Sequence, residues 1–263
     1  MVGGALSADG PGWVRFPADA QSLNWTRAAL GAGQAVLRDS IEPWRCGGTW
    51  FVGVDALAND ADGAVAGQPL AGAAVKAVRD LFGPRHWHPA QLSVIRPGYP
   101  QPSPDESPAA FVFRRDRDAA HVDGLIADGP GKRRFIREPH AFILGIALNH
   151  ATADASPLVV WDGSHRIMGA AFRGALAGAD PVGWDQVDIT DAYQAARRTV
   201  LAQCPRRTLP LRPGEAVLLH RHLLHGVSPW GQQASAAAEG RAIAYFRPEC
   251  ATVADWAQAD DPV

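Results

Sequence analysis

His121 and Asp123 stand two positions apart in His121-Val122-Asp123-Gly124. On a strand, residues i and i+2 project from one face, so an imidazole and a carboxylate at this spacing can reach one ion side by side. That donor pair suits Fe(II), Mn(II) or Zn(II) better than Cu(I). The spacing is also common by chance, and taken alone the alternative is a His–Asp surface pair at a strand end. A second source of imidazole is Glu215–Trp230, EAVLLHRHLLHGVSPW, which holds His220, His222 and His225. One of these three joined to the first pair would make a two-histidine, one-carboxylate face with coordination positions left open. A closed set of four ligands would instead mean structural zinc. Periodicity does not choose among the three, because His220 and His222 share a face of a continuous strand and His225 takes the other. At least one of them is expected to be structural or to hydrogen-bond to a ligand. Arg241 opens the segment GRAIAYFRPE. Beside a metal pocket its guanidinium can clamp a carboxylate through two parallel hydrogen bonds; without one it is a strand-end arginine paired with a surface acid.

Such residues need a rigid frame, and the chain from Gln91 onward has the pattern of one. Short apolar runs alternate with turn signals: Gln91–Ile95, Ala110–Phe113, Ala141–Asn149, Leu158–Trp161, Ala216–Leu219, Leu223–Val227 and Arg241–Phe246. Asp162-Gly163 and Pro213-Gly214 are turn dipeptides between such runs. Many short strands with this punctuation predict a sandwich or barrel. Ile189–Leu201 interrupts them as a helix, with Thr190 as its candidate N-cap. Upstream, Ser22–Leu37 and Leu70–Phe82 carry apolar residues at helical spacing. The proline-rich stretch Pro97–Pro108 (PGYPQPSPDESP) reads as an exposed loop, since proline supports neither helix interior nor ladder. Neither it nor Gly231–Gly240 resembles a linker, because strand-like segments resume on both sides. The expected organisation is one domain over residues 1–263. Residues 1–90 decorate it with helices and strands, and residues 91–250 form the β core, with a helical insert near 164–203.

Composition narrows the function classes. Hydrophobic residues make up 47% and charged residues 20%, which is globular rather than disordered composition. The formal net charge is −2, so the excess positive charge that general nucleic-acid binding needs is missing. The longest apolar stretch, around Ala141–Leu148, is too short to span a bilayer. Met1–Gly12 has neither the basic start nor the apolar run of a signal peptide. Cys46, Cys204 and Cys250 form no zinc-finger or disulfide pattern. The expectation is a cytoplasmic protein with a small-molecule substrate and neither nucleic acid nor membrane as partner. Oligomeric state is not encoded in any pattern found. Nine tryptophans suit a well-filled core or an aromatic pocket, and core packing is the expectation for Trp87, Trp161, Trp184 and Trp230.

Taken in order, HVDG (His121–Gly124), SPLVVWDGSH (Ser156–His165), PGEAVLLHRHLLHGVSPW (Pro213–Trp230) and GRAIAYF (Gly240–Phe246) resemble the phytanoyl-CoA dioxygenase family of Fe(II)- and 2-oxoglutarate-dependent oxygenases. The resemblance covers roughly the last 170 residues. It implies a mainly β protein with flanking helices around a double-stranded β-helix (jelly-roll, cupin-like) core. By position it implies His121, Asp123 and His225 as the Fe(II) ligands and Arg241 as the residue holding the far carboxylate of 2-oxoglutarate. Gly163, Ser164 and His165 match a structural turn, outside the metal set. The chain departs from the family pattern at three places. Val227 stands where a serine that helps to hold 2-oxoglutarate is common, with Ser228 one position later as its substitute. The stretch between His225 and Arg241 is long, which makes Arg247 the fallback for Arg241. Trp161-Asp162-Gly163 replaces a frequent Pro-Gly.

The chemistry so implied consumes O2 and 2-oxoglutarate, releases succinate and CO2, and hydroxylates a substrate C–H bond. Related halogenases carry a small residue in place of the carboxylate, so Asp123 argues for hydroxylation or another oxidation and against halogenation. Arg114, Arg115 and Arg117 precede the H-x-D motif, and Lys132, Arg133, Arg134 and Arg137 follow it. They admit an anionic substrate at the pocket mouth, but Asp116, Asp118, Asp128 and Glu138 are interleaved, and a solvated charged face is the favoured reading. His86 and His88 are expected to be structural. Competing readings are a cupin-like metal isomerase, lyase or dioxygenase that does not use 2-oxoglutarate, a zinc hydrolase, and a non-catalytic binding module on the same scaffold.

Overall fold

A computed structural model describes residues 2–7, 9–104 and 106–258. Met1 and Ala8 of the N-terminal stretch and Asp105 of the proline-rich stretch lie outside the described residues. The chain runs α1 (Val2–Leu6), β1 (Trp13–Phe16), α2 (Ala20–Asp39), β2 (Trp50–Phe51), α3 (Ala73–Phe82), β3 (Gln91–Ile95) and α4 (Pro108–Asp116). It continues with β4 (Leu125–Asp128), β5 (Arg133–Ile136), β6 (Phe142–Ala147), β7 (Leu158–Trp161), α5 (Ser164–Leu176), a 3₁₀ turn (Pro181–Gln186) and α6 (Thr190–Gln203). The last elements are β8 (Arg206–Leu209), β9 (Ala216–His220), β10 (His225–Val227), β11 (Arg241–Phe246) and α7 (Val253–Ala257).

Two antiparallel sheets face each other. The larger has the order β1-β9-β6-β11-β3-β2 and the smaller β10-β7-β8. His121 extends the smaller sheet through a bridge to His225. This interleaving of strands distant in sequence is the jelly-roll arrangement expected from the sequence. The central strands of the large sheet are buried along nearly their whole length because both of their faces are covered, and they are mostly apolar. Phe142, Leu144, Ala216, Leu218, Ala242, Ala244 and Phe246 point outward into a core shared with α2 and α3. Alternate residues of the same strands, among them Ile143, Val217 and Leu219, point inward toward β7 and β8. The inward face is the one available to a site.

The helices on the outer face start where local chemistry starts them. Asp19 caps α2, its side chain accepting from the backbone N–H groups of Gln21 and Ser22. Trp25, Thr26, Ala29 and Gly33 form the buried stripe of α2. Gly33 lets the helix settle on β3, since a Cβ there would lie 3.2 Å from Leu92 Cδ1. Trp25 packs 5.8 Å from Phe246, centroid to centroid, and donates its Nε1–H to Gly63 O. Full burial of an aromatic side chain of this kind contributes roughly 1.5–3 kcal/mol.

Several expectations need correcting. Ala110–Phe113 is not a strand but the middle of α4. Ser107 caps that helix and Pro108 occupies its first turn, so the end of the proline-rich stretch is a helix start. Thr190 is not the N-cap of α6; it is the first helical residue, and Asp188 Oδ1 accepts its N–H at 2.9 Å. Leu223 and Leu224 are not in a strand, which begins only at His225. Residues 221–224 form the corner that carries the chain from the large sheet to the small one. The first third is also more than decoration, since β1 and β2 are the two edges of the large sheet.

Candidate metal centre

His121 and His225 meet across an antiparallel bridge. His121 N–H donates to His225 O at 2.8 Å, and His225 N–H donates to His121 O at 3.0 Å. Their rings lie 4.6 Å apart, centroid to centroid. Each imidazole is oriented by its own chain: His121 Nδ1 lies 2.8 Å from Ala119 O, and His225 Nδ1 lies 2.9 Å from Leu223 O. A carbonyl accepts only from a protonated Nδ1, so both Nε2 atoms are left to face the site. Between them stands Asp123, with Oδ1 3.1 Å from His121 Nε2 and 3.6 Å from His225 Nε2. One ligand atom from each of the three lies within 4.8 Å of the others. Donors bound about 2.1 Å from one ion at right angles stand roughly 3 Å apart, close to these separations. Among the described residues this is the one group of three or more such side chains that meets the distance condition.

Two glycines let the backbones come this close. A Cβ on Gly226 would lie 2.1 Å from Asp118 O, and one on Gly124 would lie 2.1 Å from Glu138 O. Gly124 also has φ +83°, the left-handed region that favours glycine. Ser164, in the turn that opens α5, accepts the N–H of Leu224 at 2.9 Å and so holds the corner ahead of His225. The electrostatics are those of an ion pair at a cavity wall, with the Asp123 side chain 14% and the His121 side chain 45% exposed. Burial alone would raise the Asp123 pKa, but hydrogen bonds from His121 and His225 prevail and hold it well below the carboxylate range. Burial would lower His121, and the Asp123 contact prevails to raise it. A metal must displace that proton to bind.

The cluster opens on a cavity of about 270 Å³. Ser93, Ile143, Leu219 and Tyr245 of the large sheet and Leu158 and Val227 of the small one form its walls. Gly145 makes room for the Tyr245 ring, whose Cε1 would be 2.7 Å from a Cβ there. Arg45, Trp50 and Tyr99 also line the cavity and were missed by the sequence reading. Arg45 and Tyr99 lie on irregular segments with no period to follow, and Trp50 opens the two-residue strand β2, too short to show one. Tyr245 was missed as well, although its even offset from Arg241 on one strand was a signal for it.

Arg241 is buried on the inward face of β11, two and four residues before Ile243 and Tyr245. Its Nε and one terminal nitrogen have no partner among the described residues. It borders a void of about 10 Å³ whose walls include Leu158 and Tyr245, which also wall the metal cavity. Ser228 is buried with its N–H donated to Pro157 O, and Val227 rather than Ser228 lines the cavity. Arg247, the fallback, lines the cavity and places Nη1 3.4 Å from Asp123 Oδ2.

His220 and His222 do not join the metal set. They pack with His165, with ring centroids 4.8 Å apart for His165–His220 and 5.2 Å for His220–His222. None of Trp87, Trp161, Trp184 and Trp230 lines the metal cavity. The basic cluster faces its own acids: Arg114 pairs with Glu106, Arg115 with Asp116, Arg133 with Asp188 and Asp191, and Arg137 with Asp185. None of these arginines lines the cavity.

No family model matches the chain, and no curated protein matches it. Solved structures of similar shape include the non-haem α-ketoglutarate-dependent carbocyclase SnoK of nogalamycin biosynthesis, at 15% identity and TM-score 0.48, covering 92% of this chain and 84% of that one. AviO1 from Streptomyces viridochromogenes is similar at 15% identity and TM-score 0.49, with 95% of each chain covered. A Pseudomonas putida prolyl-4-hydroxylase is similar at 14% identity and TM-score 0.45, covering 95% of this chain and all of that one (100%). The jelly-roll assignment rests on strand order and register, and the site on its own geometry. No helix among the described residues is long and apolar enough to cross a membrane.

Proposed function

We propose that the protein is an Fe(II)- and 2-oxoglutarate-dependent oxygenase of the phytanoyl-CoA dioxygenase type that hydroxylates a C–H bond of a small molecule. The observation that carries this reading is the three-donor face of His121 Nε2, Asp123 Oδ1 and His225 Nε2, with both Nδ1 atoms tied to carbonyls and the open side turned to a cavity. Two imidazoles and one carboxylate on one face suit Fe(II) and leave positions free. The fit of 2-oxoglutarate is supported by Arg241, because a buried guanidinium with two unpartnered nitrogens is costly until an anion joins it. When bound, iron and 2-oxoglutarate supply the oxidising chemistry, in which O2 is consumed, succinate and CO2 are released and a hydroxyl is delivered to the substrate.

The protein's own contributions are placement and exclusion. His121, Asp123 and His225 hold the metal on one side of the cavity. Arg241 holds the far carboxylate of the cosubstrate. Trp50, Tyr99, Leu158 and Tyr245 wall the space beside the metal, keep water from it and orient the C–H bond. A substrate anion, where present, meets Arg45 rather than the paired basic cluster, since Arg45 lines the cavity. One observation favours a cupin-like metal enzyme that does not use 2-oxoglutarate. The void beside Arg241 has room for about one water, so a carboxylate reaches the guanidinium only if Leu158 or Tyr245 gives way.

Anaerobic titration of the metal-free protein with Fe(II) and then 2-oxoglutarate separates these readings. The expected result is a visible charge-transfer band in the wild type and none in His121→Ala. Arg241→Ala should need at least about a hundredfold more 2-oxoglutarate, the cost of breaking a buried ion pair. Iron binding with no band at any 2-oxoglutarate concentration selects the cupin-like reading. Activity with zinc and without O2 selects a hydrolase.

A further inference from the structure

The two oxygens of Asp123 have different surroundings. Oδ1 faces His121 Nε2 and His225 Nε2 at 3.1 and 3.6 Å. Oδ2 faces Arg247 Nη1 at 3.4 Å. Both side chains are largely withdrawn from water, at 18% exposure for Arg247 and 14% for Asp123. From this we infer that Arg247 is a positioning residue for the metal-binding carboxylate: it holds Asp123 Oδ2, so that Oδ1 alone is presented to the ion. The inference rests on the reading of His121, Asp123 and His225 as a metal site.

The fold gives Arg247 little freedom to do otherwise. It follows β11 directly and continues the inward parity of Arg241, Ile243 and Tyr245. Its backbone N–H donates to His88 Nε2 at 2.8 Å. His88 Nδ1 is in turn 2.7 Å from Pro89 O and 3.2 Å from Asp55 Oδ1. A ring that accepts at Nε2 and donates at Nδ1 has one tautomer, so His88 fixes where β11 ends and where the guanidinium begins. Arg247 also stands in the wall between the metal cavity and a second cavity of about 420 Å³, with Glu138 beside it.

The chemical consequence concerns how many positions the carboxylate takes. A carboxylate free at both oxygens can swing to grip an ion twice, which fills a position the open face needs. A hydrogen bond at Oδ2 prevents the swing and orients the remaining oxygen. The two arginines on this face therefore divide the work. Among the described residues Arg241 has two unpartnered nitrogens and awaits an anion, whereas Arg247, although its Nε is also unpartnered, already has one in Asp123.

The test uses Co(II), a redox-stable probe, with calorimetry and visible spectra on the metal-free protein and thermal melts of every variant. Arg247→Met should lose Co(II) affinity about 10- to 100-fold, the usual effect of removing a group that orients a ligand. Arg247→Lys should recover part of that affinity, and Arg241→Ala should bind Co(II) as the wild type does. A purely structural role would lower the melting temperature and leave Co(II) affinity alone. Unchanged or tighter binding in Arg247→Met overturns the inference. If that variant does not fold, Arg247→Gln and Arg247→Lys replace it, with affinity expected in the order Arg, Lys, Gln and equality overturning it. A wild type that binds no Co(II) removes the metal reading and this inference together. A wild type that binds, a His121→Ala that does not and an Arg247→Met that binds fully remove the inference alone.

Discussion

Two groups of three residues built around histidines lie in this protein. In the first, His121 and His225 turn Nε2 toward the carboxylate of Asp123. In the second, His165, His220 and His222 turn toward one another and toward aromatic rings. His222 lies 4.3 Å from Trp256 and 5.5 Å from Phe172, centroid to centroid. Glycines admit this second group too: a Cβ on Gly169 would lie 2.9 Å from His222 Nδ1, and one on Gly12 would lie 2.4 Å from His165 Nδ1. Among the described residues no carboxylate pairs with a histidine of the second group, and burial followed by neighbouring cationic charge holds His220 and His222 well below the ordinary histidine range. Imidazole content does not make a metal centre. What makes the first group a candidate for one is a carboxylate among the rings and a carbonyl on each Nδ1, which set which nitrogen is free.

The sharpest way to break the comparison is to delete one member of each group. Asp123→Ala should leave no measurable Co(II) binding by calorimetry at micromolar protein, whereas His222→Phe should bind like the wild type. If His222→Phe also loses the metal, the two groups are one site. Stability should respond in the opposite sense. Trp256 is fully buried against His222 and Phe172, so Trp256→Ala should cost about 3–5 kcal/mol in chemical denaturation, with Co(II) affinity retained.

Acid titration sharpens the contrast further. His220 and His222 are neutral when folded, and their unfolded value is 6.5. As pH falls through that value the unfolded chain takes up the protons first, so stability is lost on acidification and continues to fall until the folded values are reached. The slope should approach about 1.4 kcal/mol per pH unit for each histidine. His222→Phe should flatten it; a slope identical to the wild type would show that His222 carries none of the acid sensitivity. The smallest effect belongs to the exposed arginines. Arg133, 45% exposed and paired with Asp188 and Asp191, should cost less than about 1 kcal/mol when changed to alanine and leave metal and 2-oxoglutarate binding unchanged.

Much of the frame was legible. Gln91–Ile95, Leu158–Trp161 and Arg241–Phe246 are strands with the expected bounds, because short β-branched and aromatic runs between turn residues have few alternatives. The helix expected at Ser22–Leu37 lies inside α2, whose start is set by an aspartate three residues earlier. The misreading of Ala110–Phe113 has a local cause. Ser107-Pro108 reads as the end of a loop, but serine followed by proline is also how a helix begins. Strands β1, β2, β4, β5 and β8 carried too little periodicity to stand out, and pairing with stronger partners makes them strands.

For the site, the sequence held the candidate donor types and the close spacing of His121 and Asp123, which the structure places at a bridge and in the turn that follows it. It could not select His225 over His220 and His222 by periodicity. That choice belongs to the corner at residues 221–224, which sends His220 and His225 to different sheets. The corner is held by Ser164, sixty positions away, and the close strand approach is permitted by Gly226 against Asp118. The same applies to Arg247, whose duty depends on contact with Asp123 across 124 positions of chain. Residue type and short spacing are local properties of a chain. Which nitrogen faces which oxygen is a property of two sheets closing on each other, and only the tertiary structure decides it.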